Sequence, residues 1–395
     1  MGGFSAQKFW CKKRLGEPQM RIAVVGGKLQ GLEILYLARV AGFETLLIDK
    51  NSDLPAGELC DSFVRFHFNQ QGSFPADCGQ IHLIFPALED LTTLKLISSW
   101  GDELGIPVVF DLDAYGISSS KIRSNALFEK LKLPRAKNWP DCNVPVIIKP
   151  DDSSGSKGVV RVDNRERVEA LLADFSGSPV VEEYLEGPSY SIEVIGRPGN
   201  YAALPVTELY MDKDYDCCGV LAPPLLSREN EQKLRHQICT IAEALNLHGI
   251  MDLEVILHAG ELKILEIDAR FPSQTPIAVF HATGVNMVEL LVELFVKGRI
   301  KEPRVKGGFC LLEHIRVTGS DVEILGEHIL ADRKNLQMKT DFYGAHTAIT
   351  DFNASDNKRD SWIATLVYKG NRSEEVDLNR RKCMSQIAQI TKNSG

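Results

Sequence analysis

The stretch KILEIDARFPSQTP (263–276) alternates apolar residues with Glu266 and Asp268 and follows them at once with Arg270. Alternate residues of a strand share a face, so the two acids stand together with a cation just beyond. With the residues before it, GIMDLEVILHAGELKILEIDAR (249–270) reads as a β-hairpin. A three-residue loop at His258-Ala259-Gly260 is a common hairpin class. It sets Ile256 opposite Leu262, Glu254 opposite Ile264 and Asp252 opposite Glu266. Asp252, Glu254, Glu266 and Asp268 then share one face. Four carboxylates so placed repel one another unless cations hold them. Hard oxygen donors in this number suit Mg2+ shared with nucleotide phosphates. A wet face of solvated acids is the plainer alternative, and the apolar character of the rest of the hairpin counts against it.

Three further stretches have chemistry in reach. IIKPDDSSGSKGVV (147–160) closes an apolar strand with Lys149 and runs on into a Ser/Gly loop. A lysine there needs a counter-charge and can neutralise phosphate oxygens, while the loop's N–H and hydroxyl groups could cover more of them. The spacing is not that of a G-x-x-x-x-G-K-[ST] loop, and a solvated hairpin is the alternative. GGKLQG (26–31) lies between a strand and a helix, where N–H groups meet anions. Its glycines at 26, 27 and 31 break the dinucleotide-binding G-x-G-x-x-G pattern, and a tight turn accounts for them equally well. VVEEYLEG (180–187) is a strand entering a turn, whose backbone groups could read the edge of adenine. An edge strand with solvated acids would explain it alone.

These residues need elements to carry them. RIAVVGG (21–27), LQGLEILYLARVAG (29–42) and ETLLIDK (44–50) form a strand–helix–strand unit with a parallel sheet. Strands at 80–86 and 106–111 and a helix at 88–104 complete an open α/β domain over 21–112. A Ser-rich entry into a helix (117–134), strands around 144–150 and 179–187 and a helix at 164–175 make a small α+β lid, 113–187. Strands dominate 188–300, with helices at 227–246 and 285–297. Residues 301–395 form a C-terminal region with few chemical signals, and 355–362 read as an exposed loop.

The chain has 395 residues, a net charge of −8 and a pI of about 5.7. That excludes a general nucleic-acid or membrane-surface binder, which needs a basic face. Nine cysteines without a CxxC suit reduced thiols in the cytoplasm. No apolar run is long enough to span a bilayer. Residues 1–20 are basic but lack the apolar core of a secretory signal. Ala6 stands where a myristoylation signal needs Ser or Thr, so a poorly ordered extension is expected.

Parts of these kinds in this order, from about 21 to 300, resemble the ATP-grasp superfamily. The resemblance implies an N-terminal open α/β domain, an α+β lid and a third domain whose antiparallel strands hold Mg2+, with ATP as the nucleotide. It implies that Lys121 and Lys149 touch the ATP phosphates and that the loop with Ser153, Ser154, Gly155 and Ser156 closes over them. Glu182, Glu183, Tyr184 and Leu185 would hold adenine. Glu254, Glu266 and Asp268 would hold the metal, and Arg270 would stabilise the transferring phosphoryl group. The ribose acid is not evident after EG, where Ser189 stands.

The blocks VVGGKLQG, VFDLDAYGIS, VEEYLEG, DYDC, GIMDLEV and EIDARFPSQTP are similar to the ATP-grasp ligases of pyrrolysine biosynthesis. That resemblance implies an amide ligase acting on 3-methyl-D-ornithine and L-lysine. Lys28 and Leu29 would then serve ATP, and Leu29, Gln30 and Glu89 the lysine. Asp216, Asp252, Arg270, Ser273 and Gln274 join the substrate set, Asp252 as one candidate to take the amine's proton. The expected partners are amino acids, with no nucleic acid or membrane and with a homodimer as the assembly. Alternatives are another ATP-grasp amino-acid ligase or carboxylase, a nicotinamide dehydrogenase, which the broken fingerprint disfavours, and a non-catalytic ATP-binding regulator, which the full set of lysines, acids and Arg270 disfavours.

Overall fold

A computed structural model describes residues 20–393 apart from 69–72, 76–77, 154, 176, 301 and 354–360. The expected extension before Met20, Ser154 of the lid loop and most of the expected loop at 355–362 lie outside the described residues.

The first sheet is parallel. Strands β1 (Arg21–Val25), β2 (Glu44–Asp49), β3 (Ser62–Arg65) and β4 (Leu83–Pro86) lie in the order β3-β2-β1-β4. The apolar runs of β1 and β2 are buried, as central parallel strands require. Helix α1 (Leu29–Ala41) stops at Gly42, whose φ of 82° returns its N–H to the carbonyls of Ala38 and Arg39. Helix α2 (Leu91–Leu104) starts on an Asp90 cap. The strand expected at 106–111 is only a single bridge, Val108 to Ile84. Pro107 removes a ladder donor there, and the next helix starts within a few residues. The short edge strand β3 was not expected.

At the β1–α1 junction, a Cβ on Gly31 would stand 2.1 Å from the carbonyl oxygen of Gly26. Gly31→Ala is therefore expected to force the loop at 26–31 off its seat. Overpacking of this kind costs about 1–3 kcal/mol, which thermal unfolding would register.

The lid holds α3 (Leu112–Ser118), α4 (Lys121–Lys130), β5 (Val146–Pro150), β6 (Val160–Val162), α5 (Arg165–Asp174) and β7 (Pro179–Glu183). Its antiparallel sheet runs β6-β5-β7. The Ser-rich run leads into a helix as expected, with Ser120 capping α4, which ends at Lys130. The short helix α3 before it, capped by Asp111, was not expected.

The largest sheet begins with β8 (Ser189–Arg197), β9 (Asn200–Ala203), β10 (Thr207–Met211) and β11 (Cys217–Ala222). Helix α6 (Arg228–Leu245), β12 (Gly249–His258), β13 (Glu261–Asp268), α7 (Thr275–Thr283) and α8 (Met287–Lys297) follow. Then come β14 (Phe309–Thr318), β15 (Asp321–Ile324), α9 (His328–Ala331), β16 (Gln337–Phe342), β17 (Ala345–Thr350), β18 (Ser361–Gly370) and α10 (Ser373–Asn393). The order is β13-β12-β8-β10-β11-β14-β18-β17-β16, with β9 on β8 and β15 on β14. Strands after residue 300 thus continue the sheet of those before it.

The hairpin differs from expectation in its register. Its turn is two residues, Ala259 (φ 50°) and Gly260 (φ 86°), between the pair His258 and Glu261. Two residues at positive φ match the twist of the flanking strands. Ile256 therefore faces Lys263, not Leu262. An even loop alone would put Glu254 and Glu266 on opposite faces. A β-bulge at Leu265 adds one residue, so Glu254 faces Glu266, not Ile264, and Asp252 faces Asp268, not Glu266. The acids share a face by a different route.

Candidate active site

Beyond the end of β13, the Arg270 side chain is clasped by two carboxylates. Its Nε lies 2.6 Å from Asp268 Oδ2 and an Nη lies 3.2 Å from Glu89 Oε1. Glu89 comes from the loop between β4 and α2, and Gln30 at the start of α1 reaches it at 3.5 Å. The Tyr115 hydroxyl donates to the Glu89 carbonyl at 3.3 Å, and Ser118 accepts the Ala269 N–H at 3.0 Å, so α3 fixes both sides of the clasp. A cavity of about 380 Å3 opens here, lined among others by Lys121, Ser153, Gly155, Glu266, Asp268 and Arg270.

Charge at this place is unusual. Burial and then Asp268 push Asp252 well above the ordinary carboxylate range. Burial and then Glu266, directly across the ladder, push Glu254 up to about 8. Burial outweighs the pull of Arg270 and takes Asp268 to about 6. Burial works against the Arg270 guanidinium, but Asp268, Glu89 and Asp252 hold it firmly protonated. Asp268 Oδ1 is buried without a hydrogen-bond partner. An orphaned oxygen among opposed acids fits a hard divalent cation, so Glu254, Glu266 and Asp268 could hold Mg2+.

A pH dependence follows for the metal-free protein. Glu254 at about 8 and Glu193, raised by burial to about 7, bind protons in the folded state that the unfolded state has released. Where the folded state holds more protons, stability falls as pH rises. Denaturant midpoints are therefore expected to fall from about pH 4.5 to about pH 8. Mg2+ and ATP should recover part of the loss at pH 8. A midpoint that rises over this window would contradict the arrangement.

The lid residues make a second group. Lys149 and Glu182 form an ion pair, with side chains only 6% and 5% exposed, and neither lines the cavity. Lys121 Nζ donates to the Ser153 carbonyl, and Ser156 Oγ donates to the Tyr215 carbonyl at 2.6 Å. Glu183 accepts the Lys137 N–H at 3.0 Å and pairs with Lys263. The N–H groups of Glu183 and Tyr184 go to the carbonyls of Lys137 and Pro145, and the Leu185 side chain is buried. Lys28 is exposed and precedes α1, with Leu29 half-buried behind it.

The remaining candidates meet residues that the sequence reading missed. Asp216 accepts the main-chain N–H of His328 at 3.0 Å and also bonds its ring. Next to His328, Glu327 accepts Ser273 Oγ at 3.0 Å and bonds the Gln274 side chain. Burial raises Glu327, and Arg270 is close enough to pull it back. Ser273 and Gln274 thus face a carboxylate from the C-terminal region. Nothing in LGEHIL (325–330) signals this; only the sheet brings it across.

A family profile described as an ATP-grasp domain matches residues 118–274. A 3-methyl-D-ornithine–L-lysine ligase of Methanosarcina mazei is 33% identical over 368 residues, 92% of this chain and 94% of its own. One from Methanosarcina barkeri is 32% identical over 93% of this chain and 97% of its own. Among solved structures, the ADP complex of an N5-carboxyaminoimidazole ribonucleotide synthetase matches at a TM-score of 0.68, with 15% identity, 95% of this chain and 98% of that one. An L-amino acid ligase from Bacillus licheniformis matches at 0.65, with 16% identity and coverages of 94% and 98%. These last two bear on the fold alone. With a third of its residues shared over nearly the full length of such relatives, the chain belongs to the 3-methyl-D-ornithine–L-lysine ligase family of ATP-grasp enzymes.

Proposed function

We propose that this ATP-dependent ligase joins the carboxylate of 3-methyl-D-ornithine to the ε-amine of L-lysine, a step of pyrrolysine biosynthesis in the cytoplasm. The observation that carries the reading is Arg270 clasped between Asp268 and Glu89, one carboxylate on the metal face and the other beside Gln30. The family names supply the substrates. The α/β domain at 21–112, the lid at 113–187, the metal-binding part at 188–300 and the region 301–395 would each contribute residues. Eight cysteines among the described residues are free thiols, in keeping with a reducing compartment.

The donor carboxylate attacks the γ-phosphorus of ATP. An O–P bond forms, the bond to ADP breaks, and an acyl phosphate results. Lys121 and Lys149 would hold the phosphates, and Arg270 would meet the charge on the transferring group. Mg2+, held by Glu254, Glu266 and Asp268, would offset phosphate charge when bound. The lysine amine, oriented by Gln30 and Glu89, then attacks the acyl carbon, the amide bond forms and phosphate leaves. That amine must first lose a proton, which at pH 7 costs roughly 4.6 kcal/mol for a reference pKa of about 10.4. Asp252, on the same face of the hairpin as Asp268, is the candidate to take it.

The test uses the full chain with MgATP, L-lysine and either D-ornithine or its 3-methyl derivative. ADP release should need both amino acids, since the acyl phosphate waits in a closed site. Mass spectrometry should find the amide on the lysine side chain, with Nα-blocked lysine accepted and Nε-blocked lysine refused. If Nε-blocked lysine is joined as well as lysine, or neither ornithine supports ADP release, the substrate assignment fails and a ligase of other amino acids remains.

A further inference from the structure

The segment after Arg270 has a backbone feature that the reaction scheme does not explain. Gln274 sits at φ 67°, ψ −53°, and the Thr275 N–H returns to the Ser273 carbonyl at 2.8 Å. This is a γ-turn of the rare, strained hand, and such strain persists only where the surroundings over-determine it. Here three carboxylates from separate parts of the chain do so. Glu327 holds the side chains of Ser273 and Gln274. Glu193 of β8 takes the Thr275 hydroxyl. Glu33 of α1, only 4% exposed, accepts the Ile277 N–H at 3.2 Å and the main chain of Gln274. Meanwhile Gln274 Oε1 is buried with no hydrogen-bond partner, in a residue only 5% exposed, so the turn is held against the cost of an unmet acceptor.

Glu33 stands three residues after Gln30, on the same face of α1. Gln30 reaches Arg270 through Glu89, and Glu33 reaches the start of α7. One turn of α1 therefore grips both ends of residues 270–277. We propose that Glu33 is a positioning residue: by anchoring the first N–H groups of α7 it holds the Gln274 turn, and so fixes the segment from Arg270 to Gln274 where the donor amino acid meets it. The donor's identity rests on the proposed reaction; the anchoring does not.

Two variants of the full-length enzyme test this. Glu33→Gln keeps an acceptor of the same shape and should leave donor KM within about threefold of wild type. Glu33→Ala should raise KM for D-ornithine by roughly 10- to 100-fold and leave KM for ATP within about twofold. Hydrogen exchange of the 274–279 amides reads the anchoring without any turnover: protected in wild type and Glu33→Gln, faster by about tenfold or more in Glu33→Ala. If Glu33→Ala does not fold, Glu33→Leu, which keeps the packing, carries the same readings. Unchanged exchange in the apolar variant, a parallel rise in KM for ATP, or failure of Glu33→Gln to restore donor KM overturns the proposal. A wild-type enzyme that never releases ADP with these amino acids sinks the assigned reaction, while the exchange result still decides the role of Glu33.

Discussion

Arg270→Lys is expected to lower amide formation by about 10²- to 10³-fold, the usual effect of deleting one preorganised charge contact in a transition state. The residue exchanged is still a cation, so the loss would come from geometry. In the wild type one planar guanidinium spans Asp268 at 2.6 Å and Glu89 at 3.2 Å. An ammonium offers a single point of charge and cannot bridge both while also facing a phosphoryl oxygen. ATP affinity should change little, because Lys121 and Lys149 remain. Titration of ATP and coupled ADP release with both amino acids separate the two effects. A variant that keeps a third or more of the wild-type rate would remove Arg270 from the chemistry.

The hairpin shows how a sequence can give the right face through the wrong pairing. Alternation of acids with apolar residues is a local, period-two signal, so it survives errors of register. The bulge at Leu265 has no such signal, since a leucine there suits a regular strand equally well. Lys149 was legible as a buried cation in need of a partner, yet Glu182 was read as an adenine contact. Their pairing depends on β5 lying beside β7, which sequence separation does not announce. Glu33 and Glu327 were invisible for a related reason. Each is a lone acid in an ordinary segment, and its meaning comes from α7, more than fifty residues or more than two hundred residues away. Helix α3 was hidden because its seven residues are too few to show a helical period.

Lys149→Ala is expected to stop ATP turnover, and the structure adds that it should also weaken the fold. Lys149 and Glu182 are both almost wholly buried and paired with each other. Removing one member of such a pair strands the other, typically for about 3–5 kcal/mol. Loss of activity in that variant alone would therefore not say whether Lys149 meets phosphate or only neutralises Glu182. Lys149→Met together with Glu182→Gln removes the charges as a pair and keeps the volume, so most of the stability should return. If Lys149 serves the nucleotide, this double variant unfolds near the wild-type temperature, binds ATP at least tenfold more weakly, the effect of about 1.4 kcal/mol, and releases no ADP. Turnover by the folded double variant at a rate near wild type would make the pair a structural element of the lid. Glu182→Gln alone sharpens the choice. It frees Lys149 from its internal partner, so ATP binding should hold or strengthen if the ammonium swings to the phosphates. It should fall if Glu182 itself contacts the nucleotide.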